Sequence, residues 1–253
     1  MSFTNETALI TGATSGISYE LAKLFAADKV NLVIVSRNEY RLHQVAAEFR
    51  QLGSPRVNVI LKDLSVPGAA RQLHDRTKED SINVTTLVND GGFGEFAYFR
   101  EDETDIDDSI MQLNMVSTVQ LTKLYLIDML RAGKGRILNL ASIASSHPPP
   151  VSSLFAACKA FILSFSEAVV SEIRNTEILL TVLTGSDDND LINNVRAFKN
   201  NQKDLAEVAK EGYDGLQKGM PYVTSRFPVQ AQLSITQDIP YEALAPTINY
   251  MKE

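Results

Sequence analysis

Short apolar runs rich in β-branched residues alternate with amphipathic stretches along most of this chain, and few architectures accommodate that alternation. A strand that is apolar at every position has to be covered on both faces, and parallel neighbours need a long crossover, usually a helix. The pattern therefore predicts an α/β fold, a doubly wound parallel sheet of about seven strands with helices on both faces. Strands are expected at Thr7–Thr11, Val30–Ser36, Val57–Leu61, Thr85–Asn89, Arg136–Ala141, Ile178–Leu183 and Pro221–Ser225. Helices are expected over residues 16–27, where Leu21, Leu24 and Phe25 keep helical spacing, and over 38–52, 68–79, about 104–131, 152–174 and 203–217. No repeat, low-complexity segment or linker interrupts the series, so residues 1–253 read as one domain, with 226–253 as a short, weakly periodic C-terminal tail.

Composition narrows the function classes. The longest apolar runs, around Leu32–Val35 and Leu179–Leu183, fall far short of the ~20 residues of a spanning helix, so no membrane span is expected. The opening residues lack a basic region followed by an apolar stretch, which argues against a signal peptide. A single cysteine, Cys158, leaves no intrachain disulfide to form and suits a reducing, cytoplasmic setting. His43, His74 and His147 are scattered, so no metal site is expected. A net charge of −7 argues against nucleic acid as the partner.

Two segments carry chemistry. The first strand runs into Thr11-Gly-Ala-Thr-Ser-Gly-Ile-Ser18. Glycines between a strand end and a helix start let backbone N–H groups approach a pyrophosphate, which the positive helix terminus favours. Taken alone, such glycines also serve backbone turns of no chemical consequence. Further on, Ser142 is followed thirteen residues later by Phe155 and four after that by Lys159. Asn114, in Leu113-Asn-Met-Val, precedes Leu121-Thr122. In this order the motifs resemble those of the short-chain dehydrogenases/reductases, a Rossmann-type family, and the resemblance covers about residues 5–225.

The resemblance implies roles. Gly12, Thr14, Ser15, Gly16 and Ile17 would form the cofactor turn, and Asp63-Leu64 the adenine-contacting pair. Asn89 opens Asn89-Asp-Gly-Gly92, where the family has Asn-Asn-Ala-Gly, a segment that ties the central sheet together beside the cofactor. Arg37 stands where NAD-specific enzymes carry an acidic residue, and a planar guanidinium suits a 2′-phosphate, so NADP(H) is the implied cofactor. Ser142 would hydrogen-bond the substrate oxygen, and Lys159 would hold the nicotinamide ribose. Asn114 would kink its helix and hold a proton-relay water. The two long helices resemble those through which family members associate, implying a homodimer or homotetramer with Leu124, Ile127, Phe161 and Val169 as apolar contributors.

Four motifs depart from the family pattern. Phe155 replaces the tyrosine that protonates the carbonyl oxygen, and a positioned general acid is typically worth about 10²–10⁴-fold in rate, or roughly 3–5 kcal/mol of barrier. Ser18 replaces a glycine that leaves room for the cofactor, and Asp90 adds a carboxylate that would oppose an anionic ligand. Thr184-Gly185 and the acidic Ser186-Asp-Asn-rich run to Asp190 replace a Pro-Gly segment. Cofactor binding is accordingly expected to be weakened or lost relative to the family. Three functions stay open: a redox enzyme with a substitute proton donor, for which His147 and Tyr98 are candidates; a non-redox enzyme (elimination, isomerisation or cyclisation); and a non-catalytic dinucleotide-sensing or scaffold protein. The preferred reading is an NADP(H)-type pocket for a small-molecule ligand or substrate, with an impaired or repurposed carbonyl/alcohol oxidoreductase site. Cys158, beside Lys159, reads as a small buried residue, and Asp187–Asp190 as a solvated loop.

Overall fold

The computed structural model describes residues 6–90, 104–142, 153–185 and 205–225. Strands β1 (Thr7–Thr11), β2 (Asn31–Ser36), β3 (Val57–Leu61), β4 (Thr86–Asn89), β5 (Gly135–Ser142), β6 (Ile178–Gly185) and β7 (Tyr222–Thr224) form one sheet in the order β3-β2-β1-β4-β5-β6-β7. Every pairing is parallel. The helices are α1 (Gly16–Ala27), α2 (Glu39–Leu52), α3 (Ala69–Glu79), α4 (Thr104–Met111), α5 (Thr118–Ala132), α6 (Ser153–Ile173) and α7 (Leu205–Lys218).

Because successive strand residues face opposite sides of a sheet, β1 and β2 feed two separate cores. Ala8, Ile10, Leu32 and Ile34 pack with Leu21 and Phe25 of α1, Phe49 of α2 and Leu216 of α7. Leu9, Val33 and Val35 pack with Leu73 of α3, Tyr125 and Met129 of α5, and Ile162 of α6. Chain direction across the sheet reverses between β1 and β4, the switch point at which open α/β sheets leave a crevice beyond their carboxyl ends.

Element boundaries lie within two residues of those expected from periodicity, with one difference of kind. The long helix expected over 104–131 is α4 and α5 joined by a π-helical turn, Gln112–Ser117. Such an insertion changes the pitch by about one residue, too little to disturb an apolar repeat, and π-bulges are frequent at functional sites. A second difference concerns α6, which is long and apolar enough, by length and composition, to cross a membrane. Uninterrupted runs missed it because Lys159, Ser164, Ser166 and Glu167 break the apolar residues into short pieces while the helix as a whole stays apolar. In the fold, α6 lies against β5 and β6 with Cys158, Lys159, Ile162, Ser166, Val169 and Ile173 buried. The expected tail at 226–253 lies outside the described residues.

A buried polar ladder ties β4, β5, α5 and α6 together. Asn89 donates through Nδ2 to Thr122 Oγ1 (3.0 Å) and Asn139 Oδ1 (2.9 Å), and Asn139 Nδ2 donates to Ser166 Oγ (2.9 Å).

Candidate active site and nucleotide cleft

A cleft opens at the carboxyl ends of β1 to β4, with the glycine turn at its centre. Gly12 adopts φ +69°, where a side chain would be strained, and its N–H donates to Val35 O (3.0 Å). Gly16, at φ +63°, starts α1. The turn is braced from α2: Arg41 Nε donates to Thr14 O (3.4 Å), and Thr14 Oγ1 lies 3.2 Å from Ser36 Oγ. Asn38 caps α2 by accepting from Arg41 N (3.0 Å). Thr14 and Ser15 line the cleft, whereas Ile17 and Ser18 are buried behind it. Ser18 therefore does not narrow the opening. Its wholly buried hydroxyl has no hydrogen-bond partner among the described residues, so its effect falls on packing and not on the cleft.

Arg37, at the end of β2, and Asp63 and Leu64, after β3, line the same cleft. Asp63 accepts from Ser65 Oγ (2.6 Å) and Ser65 N (2.9 Å). The Ser65 hydroxyl holds its carboxyl below the usual carboxylate range against the opposing effect of burial, helped by the Ser65 N–H and the charge of Arg37. Lys62 also lines the cleft and was not singled out by the motifs. The signal was in the register: Ser36 pairs with Leu61, which puts Lys62 beside Arg37. Across the turn, Asp90 is 8% exposed and lines the opposite wall. Its N–H donates to Thr11 Oγ1 (2.8 Å), and that hydroxyl donates back to Asp90 O (3.2 Å).

The expected catalytic residues lie on three elements around the end of β5. Ser142 closes that strand, Asn114 sits in the π turn, and Phe155 and Lys159 lie one turn apart on α6; all four are buried. Asn114 Nδ2 donates to Ile110 O (3.0 Å). Lys159 Nζ donates to Leu140 O (3.1 Å) and lies 5.3 Å from the Phe155 ring centroid, within cation–π range. The phenyl ring thus packs against the lysine ammonium and offers no ionisable proton.

Other expected residues are placed differently. Asn89 is 2% exposed and its amide serves the buried ladder; Gly16, Ile17, Asn89 and Lys159 do not line the nucleotide cleft. Thr184 is buried, its hydroxyl donating to Thr224 Oγ1 (3.2 Å). Burial pushes the Cys158 thiol up, against the charge of Lys159. Val169 packs into the chain's own core, so it has no surface to give to a subunit contact. Tyr98, His147 and Asp187–Asp190 lie outside the described residues.

The short chain dehydrogenase family model matches residues 6–200. The very-long-chain 3-oxoacyl-CoA reductase of Anas platyrhynchos is 31% identical over 179 residues, covering 68% of this chain and 56% of that protein. The 11-beta-hydroxysteroid dehydrogenase B of Sesamum indicum is 34% identical over 181 residues, covering 71% of this chain and 49% of that protein. The chain spans about half the length of the curated relatives it matches. Among solved structures, the bulky-bulky ketone specific alcohol dehydrogenase from Comamonas testosteroni superposes with a TM-score of 0.80 at 24% identity, covering 93% of this chain and 95% of that one. A short-chain dehydrogenase from Sphingobium yanoikuyae, in complex with NADPH, superposes with a TM-score of 0.77 at 23% identity, covering 97% and 94%. At these identities the superpositions establish a common fold.

Proposed function

This chain belongs to the short-chain dehydrogenase/reductase family, and on that footing we propose that it binds NADP(H) in the cleft over Gly12 and carries an oxidoreductase site impaired for ordinary carbonyl reduction. The observation that carries the reading is Phe155, buried against the Lys159 ammonium; the resemblance assigns the family's acid to this position.

The cleft suits a phosphorylated dinucleotide at two points. Gly12 presents bare backbone at positive φ beside the start of α1, where the helix terminus favours a phosphate. Arg37 and Lys62 put two cations at the β2–β3 end, where a 2′-phosphate would be held. When bound, a reduced nicotinamide supplies a hydride. The residues of this chain then provide a hydrogen bond from the Ser142 hydroxyl to the substrate oxygen and a fixed positive charge from Lys159. Neither replaces the proton that a tyrosine would deliver as the oxygen gains charge. Slow reduction, with the hydride from the cofactor and the proton from water, is the consequence, and a protein that responds to the cofactor without turnover is its limit.

The test is direct titration of the protein with NADPH and NADH, followed by cofactor fluorescence, which no tryptophan in this chain obscures. NADPH should bind more tightly than NADH, and Arg37→Ala should weaken NADPH by about tenfold or more while changing NADH little. Equal losses for the two would make Arg37 a bystander, and no binding of either would overturn the NADP(H) assignment.

A further inference from the structure

The charges of the cleft are ordered along the strand ends. Ile10 pairs with Val88 and Thr11 with Val35, so the register carries Gly12 opposite Asp90 on one side and Ser36 on the other. Arg37 and Lys62 follow on β2 and β3. Neighbouring strands stand about 4.8 Å apart, so the Asp90 backbone is roughly 5 Å from Gly12 and ~10 Å from Arg37. Contact with the glycine is direct: a Cβ built on Gly12 would fall 3.3 Å from Asp90 Oδ2.

We propose that Asp90 sets the affinity of this cleft for a dinucleotide, its carboxylate opposing the pyrophosphate carried over Gly12 while Arg37 and Lys62 favour a phosphate on the adenosine ribose. The inference rests on the NADP(H) reading above and adds the residue that limits it. Arg37 stands two strands away from residue 90 along the strand ends. Asp63, at the same end, has its carboxylate engaged by Ser65. From the β5 side, Lys159 is held by Leu140 O and Phe155. A ligand with one phosphate, on the ribose, meets only the cationic end; a dinucleotide meets both.

Asp90→Asn separates these effects with little structural cost. The variant is isosteric, and the hydrogen bonds to Thr11 are made by the main chain of residue 90. Wild type and variant would be titrated calorimetrically with two probes, NADPH and adenosine 2′-monophosphate, the second of which has no pyrophosphate. The expected result is that NADPH binds the variant about tenfold or more tightly than wild type, the size of one like charge removed at short range. Adenosine 2′-monophosphate should bind both alike, within about twofold on the same scale. Unchanged NADPH affinity in a wild type that does bind it would overturn the role of Asp90 and leave the NADP(H) assignment standing. Equal tightening of both probes would also overturn it, since the effect would then not be at the pyrophosphate. No binding of either probe to either protein would overturn the assignment and this inference together.

Discussion

Position 155 is where the proposed reading puts a change that alters the site without disturbing its frame. The Phe155 ring is 4% exposed and packs against the Lys159 ammonium, and a phenol has the same ring face to offer. Phe155→Tyr should therefore be accepted by the packing and return a general acid beside Ser142 and Lys159. A gain of ~10²-fold or more in NADPH-dependent reduction of a panel of ketones and aldehydes is the expected outcome; an unchanged rate with cofactor bound would show that the substrate is not held productively. Ser142, Asn114, Phe155 and Lys159 were singled out in the sequence by their spacing, and the fold sets them around the end of β5. The contact of Lys159 with Leu140 was not, since it depends on how α6 settles on β5. Lys62 and the approach of Asp90 to Gly12 escaped for a related reason. They become neighbours only through the strand register, which no local pattern encodes.

Among the elements, continuous apolar strands and glycine-punctuated turns made the sheet readable. The π turn at Gln112–Ser117 was not readable, because its apolar positions satisfy either helical pitch. Asn89 illustrates how an element-level role emerges: its amide spans Thr122 and Asn139, and Asn139 passes the connection on to Ser166. The ladder is buried throughout, so a missing partner leaves polar atoms without water. Asn139→Ala removes the acceptor of one Asn89 bond and the donor to Ser166, and should cost about 2–6 kcal/mol at ~1–3 kcal/mol for each orphaned group. Urea unfolding measures this directly; a loss below about 0.5 kcal/mol would show that the ladder contributes little beyond surface-like polar contacts.

At the scale of the whole molecule, α5 and α6 leave apolar surface outward: Ile127 is 39% exposed and Phe161 is 37% exposed, and Phe161 stacks on Phe165 with ring centroids 6.1 Å apart. A self-complementary contact through these helices would cover them. Light scattering at micromolar concentration should then give a dimer or tetramer mass, and a monomer mass would contradict it. The sequence offered Val169 for the same surface, but helical periodicity alone does not say which stripe meets the sheet, and the fold turns that residue inward. The central claim joins the two halves of the site, a cleft that accepts NADPH and a reacting centre without its acid. It is tested most directly by measuring NADPH oxidation by the wild-type protein under conditions where NADPH binding has been established by titration, across the same panel of ketones and aldehydes. The account predicts bound cofactor with turnover at least ~10²-fold below ordinary enzymes; turnover at ordinary rates of ~1–10³ s⁻¹ would contradict it.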